Sequence, residues 1–163
     1  MPVRTFVRSR KAIEGMLRKE TLGFLGLSLE GRPYVVPLNY AYTKGRILFH
    51  GASTGKKLDY LKANPRVCFT IGRQAGRVFR HPQGARCHVD NDSVVCDGVA
   101  RIIENAKERQ KALNAFNRRF QPDAEDIPLA VAARCCAVEI KLTEATGRQQ
   151  RGLKYAYWRC RFP

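Results

Sequence analysis

Lys56 and Lys57 are the residues whose surroundings best suggest chemistry. They follow a run of small side chains, Gly51-Ala52-Ser53-Thr54-Gly55, and open a short apolar-periodic stretch. Small residues let backbone N–H groups approach an anion closely, and the first turn of a helix carries unpaired donors and a positive dipole end. Two ammonium groups at a helix start oppose that dipole by roughly a few tenths of a kcal/mol each, a mismatch that makes sense if an anion sits there. The run therefore reads as a phosphate-binding turn. A plainer reading stays open beside it, in which both lysines are solvated and Ser53 or Thr54 merely caps the helix.

Two neighbouring features bear on the same site. His50 directly precedes the turn, where its ring would contact or donate to a bound cofactor; a histidine that completes a polar network is the alternative. Pro37 can give no ladder hydrogen bond, so it belongs at a sheet edge or a bulge. Leu38 and Asn39 are then free to direct backbone groups at a flat heterocycle, unless this is an edge-strand proline with no ligand. The conventional catalytic patterns HExxH, GxSxG and the P-loop are missing, so no catalytic acid or base is assigned. Cys87, His88 and Cys96, and the Cys135-Cys136 pair, lack the CxxC spacing of a structural zinc site. No metal is expected, and most thiols are read as small buried hydrophobes.

The elements that must position these residues follow from periodicity. Arg10 to Lys19 carries Ile13, Met16 and Leu17 at helical spacing and reads as an amphipathic first helix. Gly23 to Leu29 is strand-like, Glu30 to Pro33 is a turn, and Tyr34 to Tyr42 is a second strand interrupted by Pro37. Lys44-Gly45 turns into a third strand, Ile47 to Phe49, so three strands form an antiparallel meander. After the small-residue turn comes a short helix that Asn64-Pro65 ends, then a strand reaching Ile71. Gln74 to Asn91 is irregular, suggesting a mobile loop or a strand with a long connection. Ser93 to Glu104 reads as a strand with Gly98 as a bulge. Ala106 to Phe120 reads as a helix with Leu113, Phe116 and Phe120 on one face, and Cys135 to Leu142 as the last strand. The tail from Gly147 mixes Arg, Lys, Tyr and Trp and is read as packing on a partner subunit or bordering a ligand.

Bulk properties bound the function. The 163 residues suit a single domain, with 44% hydrophobic residues, and no apolar run is long enough to cross a bilayer. Arg4, Arg8, Arg10 and Lys11 are followed by no apolar core, so no secretory signal is expected and the protein is assigned to the cytoplasm with free thiols. Thirty Lys and Arg against fourteen Asp and Glu give a formal charge of +16. That charge would attract nucleic acid, anionic head groups or phosphorylated small molecules. No zinc-finger, RRM-type or helix-turn-helix signature accompanies it, so nucleic acid is not the expected partner.

Taken together, YVVPLNYAY, RILFHGASTGKKLDYLKANPRVCFTI, SVVCDGVARIIEN and AVEIKLTEATGR resemble the flavin-nucleotide-binding split-barrel superfamily of pyridoxamine-phosphate oxidases. The branch is the one related to 5-nitroimidazole-resistance proteins. The resemblance covers most of Arg10 to Arg148, and FHGASTGKK, a helix and NPRVCF form its most specific element. It implies a mainly β fold, a six-stranded antiparallel split β-barrel with flanking helices, in a homodimer with FMN at the subunit interface. It also implies a placement. Lys56, Lys57 and Ser53 would hold the phosphate, Val36, Pro37, Leu38 and Asn39 would lie along the isoalloxazine, and His50 and Gly51 would border it. The implied activity is oxidation or reduction of a small organic molecule by flavin hydride transfer. F420 or FAD are alternative cofactors, an F420-dependent reductase an alternative enzyme, and a flavin carrier or sensor the alternative without catalysis. The arginine-rich stretch from Arg73 to Arg86 departs from the family pattern.

Overall fold

The computed structural model describes residues 6–163. In chain order its elements are β1 (Phe6–Arg8), α1 (Arg10–Lys19), β2 (Leu22–Leu29), β3 (Arg32–Asn39), β4 (Ala41–Thr43), β5 (Arg46–Gly51), α2 (Lys56–Ala63) and β6 (Arg66–Phe79), followed by β7 (His88–Ile102), α3 (Ala106–Phe120), α4 (Leu129–Ala132), β8 (Cys136–Arg151) and β9 (Lys154–Arg161). Both predicted long helices have the expected bounds. In α1 the apolar stripe buries Ile13 and Leu17 completely, and Ser9 caps the first turn by accepting from the Ala12 N–H. Asn105 caps α3 in the same way through Lys107 and Glu108.

The strands form one open sheet in the order β1-β9-β8-β7-β6-β2-β3, with β5 paired to β8 and β4 paired to β5. All pairs are antiparallel except β1 with β9. This is the expected mainly β split barrel with flanking helices, though the described residues supply nine strands where six were expected. The extra strands come from the tail, which folds into the sheet as β9 and recruits β1, and from the division of the Tyr34–Tyr42 stretch. The long strand β8 makes the split: Cys136 to Lys141 pair with β5, and Glu144 to Arg151 pair with β9.

Three expectations for the strands need correction. The break in Tyr34–Tyr42 falls at Tyr40, not Pro37. Pro37 lies on edge strand β3 opposite Phe24, where a missing donor costs no ladder bond, while Tyr40 is buried and donates its hydroxyl to the Leu17 carbonyl at 2.7 Å. The three-strand meander is two separate hairpins, because β5 pairs with β8 and not with β3. Their tight turns carry positive φ at Glu30-Gly31 and Lys44-Gly45. The bulge expected at Gly98 has its extra residue on the partner strand. Asp97 pairs with Glu144 and Gly98 with Leu142, which leaves Thr143 over. The arginine-rich stretch takes the second form foreseen for it, with β6 and β7 extending as a hairpin around an irregular connection.

Alternation fills the core. Leu25 and Leu27 of β2, Val67, Phe69 and Ile71 of β6, Val94 and Cys96 of β7, and Val138, Ile140 and Leu142 of β8 point inward. Smaller clusters seat α3 and α4: Ile103, Leu113, Ala132 and Ala137 in one, and Ala41, Leu48 and Phe116 in another. Arg119 of α3 donates to the Arg18 carbonyl at 2.7 Å, tying α3 to the end of α1. No helix among the described residues is long and apolar enough to cross a membrane.

Candidate functional site

The small-residue turn lies between two rigid anchors. On one side β5 is locked to β8, with His50 opposite Ala137 and Gly51 opposite Cys136. On the other, α2 buries Leu58, Tyr60 and Leu61, and Asn64 fastens its far end by donating to the Ser28 carbonyl at 2.9 Å and accepting from the Arg66 N–H. Between them, Gly51 to Lys56 are exposed.

The helix start differs from the plainer sequence reading. Gly55, at φ +121, is the N-cap, and no side chain caps the helix, so neither Ser53 nor Thr54 does so. Only glycine adopts that backbone readily. The Leu58 and Asp59 N–H groups bond back to the Gly55 carbonyl. The Lys56 and Lys57 N–H groups precede them in the first turn, which leaves α2 with the uncapped donors an anion would use.

Both lysines rest on rings. Lys56 Nζ lies 4.6 Å from the Tyr34 ring centroid and 5.6 Å from that of Tyr60, whereas Lys57 Nζ lies 5.2 Å from that of Phe49. Among the described residues no carboxylate forms an ion pair with either one. Lys57 also reaches back over Gly51, where a Cβ would stand 3.2 Å from its Nζ. The two ammoniums thus flank the turn from different sides, Lys56 toward β3 and Lys57 toward β5. Burial, and secondarily the Lys57 charge, push the His50 imidazole below its ordinary value near 6.5, so the ring is neutral at pH 7.

Leu38, Asn39 and His50 line one cavity of about 410 Å³, completed by Phe116 and Phe120 of α3. His50 meets Phe116 edge to face at 4.7 Å, and Phe116 meets Phe120 at 4.9 Å. The cavity thus offers aromatic walls, a neutral imidazole and an amide whose Nδ2 donates to the Thr21 carbonyl at 3.2 Å. Such walls suit a flat, largely apolar ring system.

The remaining expected site residues are divided. Pairing alternates along β3, so Val36 and Leu38 pack toward the core while Pro37 and Asn39 are exposed. The four cannot all present side chains to one ring, although the β3 backbone can run along it. Ser53 lines a different cavity, of about 240 Å³, with Leu58, Lys62, Arg134, Cys135 and Cys136 among its walls. Sequence reasoning did not assign Phe116 and Phe120, or the rings of Tyr34, Tyr60 and Phe49 beneath the lysines. The stripe Leu113-Phe116-Phe120 was visible but indistinguishable from core, and only the 46% exposure of Phe120 shows that it reaches past the core. The six cysteines are free, but the expectation that most are buried needs correction: only Cys96 and Cys136 are, Cys68, Cys135 and Cys160 are half-buried and Cys87 is exposed.

Comparison with known proteins places this geometry. A family model described as pyridoxamine 5'-phosphate oxidase matches residues 9–149. An uncharacterized protein of Rhizobium meliloti is 32% identical over 93 residues, covering 50% of this chain and 61% of that protein, so the match spans less than two thirds of the relative. Among solved structures, a candidate 5-nitroimidazole antibiotic resistance protein of Bacteroides thetaiotaomicron superposes with a TM-score of 0.77 at 25% identity, covering 88% of this chain and 85% of the other. A FAD-binding protein of Mesorhizobium loti does so with a TM-score of 0.64, also at 25% identity, covering 88% and 96%.

Proposed function

This chain belongs to the pyridoxamine 5'-phosphate oxidase family, and on that premise we propose that it is a flavoprotein oxidoreductase that holds FMN at the turn between β5 and α2. The observation that carries the proposal is the pairing of an uncapped helix start with two lysines that rings, not carboxylates, support. A phosphate dianion there would meet the first-turn amides and both ammoniums. Each charge-assisted hydrogen bond would contribute roughly 1.5 to 3 kcal/mol. The Gly51 cradle beneath Lys57 fits such a group, because a larger residue would press on the ammonium.

When bound, the flavin supplies the hydride or electron chemistry. The chain supplies position and environment. Leu38, Phe116 and Phe120 offer apolar contact and exclude water, Asn39 offers an amide, and neutral His50 offers a ring nitrogen that can donate or accept one hydrogen bond. The substrate is a small organic molecule reaching the open side of that cavity. The FAD-binding neighbour makes FAD the first alternative cofactor, and F420 the second.

We further propose a homodimer. Leu22, Phe24, Val35, Val95 and Val99 are 38 to 61% exposed on one face across β3, β2, β6 and β7. Leu22 pairs with Asn39, so this apolar face runs to the cavity rim, and a second copy seated on it would adjoin the site. Phe24→Asp is expected to give a monomer by light scattering and to weaken flavin retention. Free thiols suit the reducing cytoplasm.

The deciding experiment is the chromophore released from purified protein, followed by FMN titration of Lys56→Ala/Lys57→Ala. The double variant is expected to fold normally and bind FMN at least about 100-fold more weakly. Folded protein that carries no chromophore and ignores added FMN, FAD and F420 overturns the reading. Sustained NADH or NADPH oxidation with an acceptor panel separates the oxidoreductase from a flavin carrier or sensor.

A further inference from the structure

The anion turn accounts for little of the +16 charge. A second concentration lies beside the middle of β8, roughly 26 Å of strand from Cys136 to Glu144 at about 3.3 Å per residue. There Arg8 of β1 and Arg159 of β9 are register partners. With Ser9, Arg10, Glu144, Cys160 and Arg161 they line a cavity of about 420 Å³. Glu144 is the one carboxylate lining it, 3.1 Å from Arg159 and 3.9 Å from Arg161, while Arg10 is taken up by Glu14. Arg8 forms no ion pair among the described residues. Positive charge thus exceeds its local counter-charge.

The cleft continues into a row of rings on the same sheet face. In β9, Trp158, Cys160 and Phe162 alternate toward the core, which turns Tyr155, Tyr157, Arg159 and Arg161 the other way. Phe6 and Tyr157 lie 5.5 Å apart, and Tyr155 and Tyr157 are nearly parallel at 12°. Guanidiniums alternate with the rings: Arg159 sits 5.0 Å from the Phe6 centroid and Arg148 5.2 Å from that of Tyr155. Tyr155 is 49% exposed and Phe6 37%.

We propose that this face binds single-stranded nucleic acid, with phosphates in the arginine cleft and bases stacked on Phe6 and Tyr155. Every base has a π-face, so aromatic rings flanked by arginine grip unpaired bases without reading sequence. A duplex keeps its bases stacked inside and offers the rings nothing. An acidic protein or an anionic membrane would use the arginines and leave the exposed ring row unexplained. The apolar patch on β2, β3, β6 and β7 lies on the same sheet face, with Val95 in register with Thr146 and Thr146 with Arg159, so a second copy centred on that patch borders the arginine row. Centred on the row itself, a two-fold would set one cationic face against another. The mix of basic and aromatic residues in the tail was legible from residue types alone, but the face forms only when residues from opposite ends of the chain pair as β1 and β9.

The test is fluorescence anisotropy of a labelled oligothymidylate of about 12 nucleotides with the full chain as purified. Binding is expected to weaken about 20-fold between about 50 and 200 mM salt if Arg8, Arg159 and Arg161 each neutralise one phosphate. Tyr155→Ala and Phe6→Ala should each weaken binding at least about 5-fold without changing the salt slope. Arg161→Gln should lower the slope by about 0.7. Chromophore content and melting temperature should stay unchanged in all three. Equal affinity for duplex DNA or heparin, no effect of Tyr155→Ala, or vesicles rich in phosphatidylserine displacing the oligonucleotide would each overturn the proposal. So would a lack of binding at about 50 mM salt.

Discussion

Basic side chains in this molecule live in two kinds of surroundings. Around Glu139, only 8% exposed, Arg46 donates at 2.7 Å and Arg101 at 3.0 Å. Asp92 gathers Arg73 and Arg151 in the same way, and Glu14 gathers Arg10, Arg18 and the Tyr42 hydroxyl. At the β5–α2 turn, by contrast, Lys56 and Lys57 meet rings and, among the described residues, pair with no carboxylate. Arginine's planar fork suits a fixed two-oxygen partner, whereas lysine is a point charge that can serve a ligand. Internal carboxylates thus hold the structural arginines, while the two lysines of the turn form no ion pair among the described residues.

The contrast can be broken at either end. The largest effect is expected for Lys56→Ala/Lys57→Ala, which should cost flavin affinity by at least about 100-fold and leave the melting temperature nearly unchanged, because neither lysine has an internal ion pair to lose. Glu139→Ala should do the reverse. Stranding Arg46 and leaving Arg101 with Glu108 alone is expected to cost about 1 to 2 kcal/mol in denaturant unfolding, less than a fully buried pair because both arginines are half-exposed, and to spare flavin affinity. A destabilised lysine variant, or an indifferent Glu139→Ala, would erase the distinction.

Smaller effects sharpen it through pH. Burial raises the Glu14 carboxyl, but hydrogen bonds from Tyr42, Arg10 and Arg18 outweigh this and hold it at about 2, against an ordinary 4.5. Its stabilisation is therefore complete above pH 4.5 and lost as pH falls toward 2, and Glu14→Gln should flatten acid unfolding in that window. The smallest effect concerns His50, whose pKa is lowered by burial and then by Lys57. Lys57→Met should move it upward in a histidine NMR titration. In the native protein the unfolded chain takes up the proton first, so His50 weakens the fold as pH falls below about 6.5.

Local signals were read well where they were strong. The periods of α1 and α3 and the Asn64-Pro65 stop lie within single segments, and they gave helix bounds that the structure reproduces. Strand partners did not follow, since β5 chooses β8 across the chain and Tyr40 turns the strand through its own burial. The site divides along the same line. Gly51 to Lys57 stood out because two lysines opening a helix behind a run of small residues are a local anomaly; that no side chain caps the helix came from the structure. Phe116 and Phe120 were hidden in an ordinary apolar stripe, and Ser53, expected beside the two lysines at the phosphate, lines a cavity separate from the one that holds Leu38, Asn39 and His50.

The sequence by itself determined the helices, the inward-facing alternation of the strands and the chemistry of the turn, because each depends on residues within a few positions of one another. Only the tertiary structure decided which strands meet, which rings lie under Lys56 and Lys57, and that α3 walls the cavity beside His50. Those are contacts between distant segments, and the burial and shape that select them exist only once the strands and helices have packed around their core.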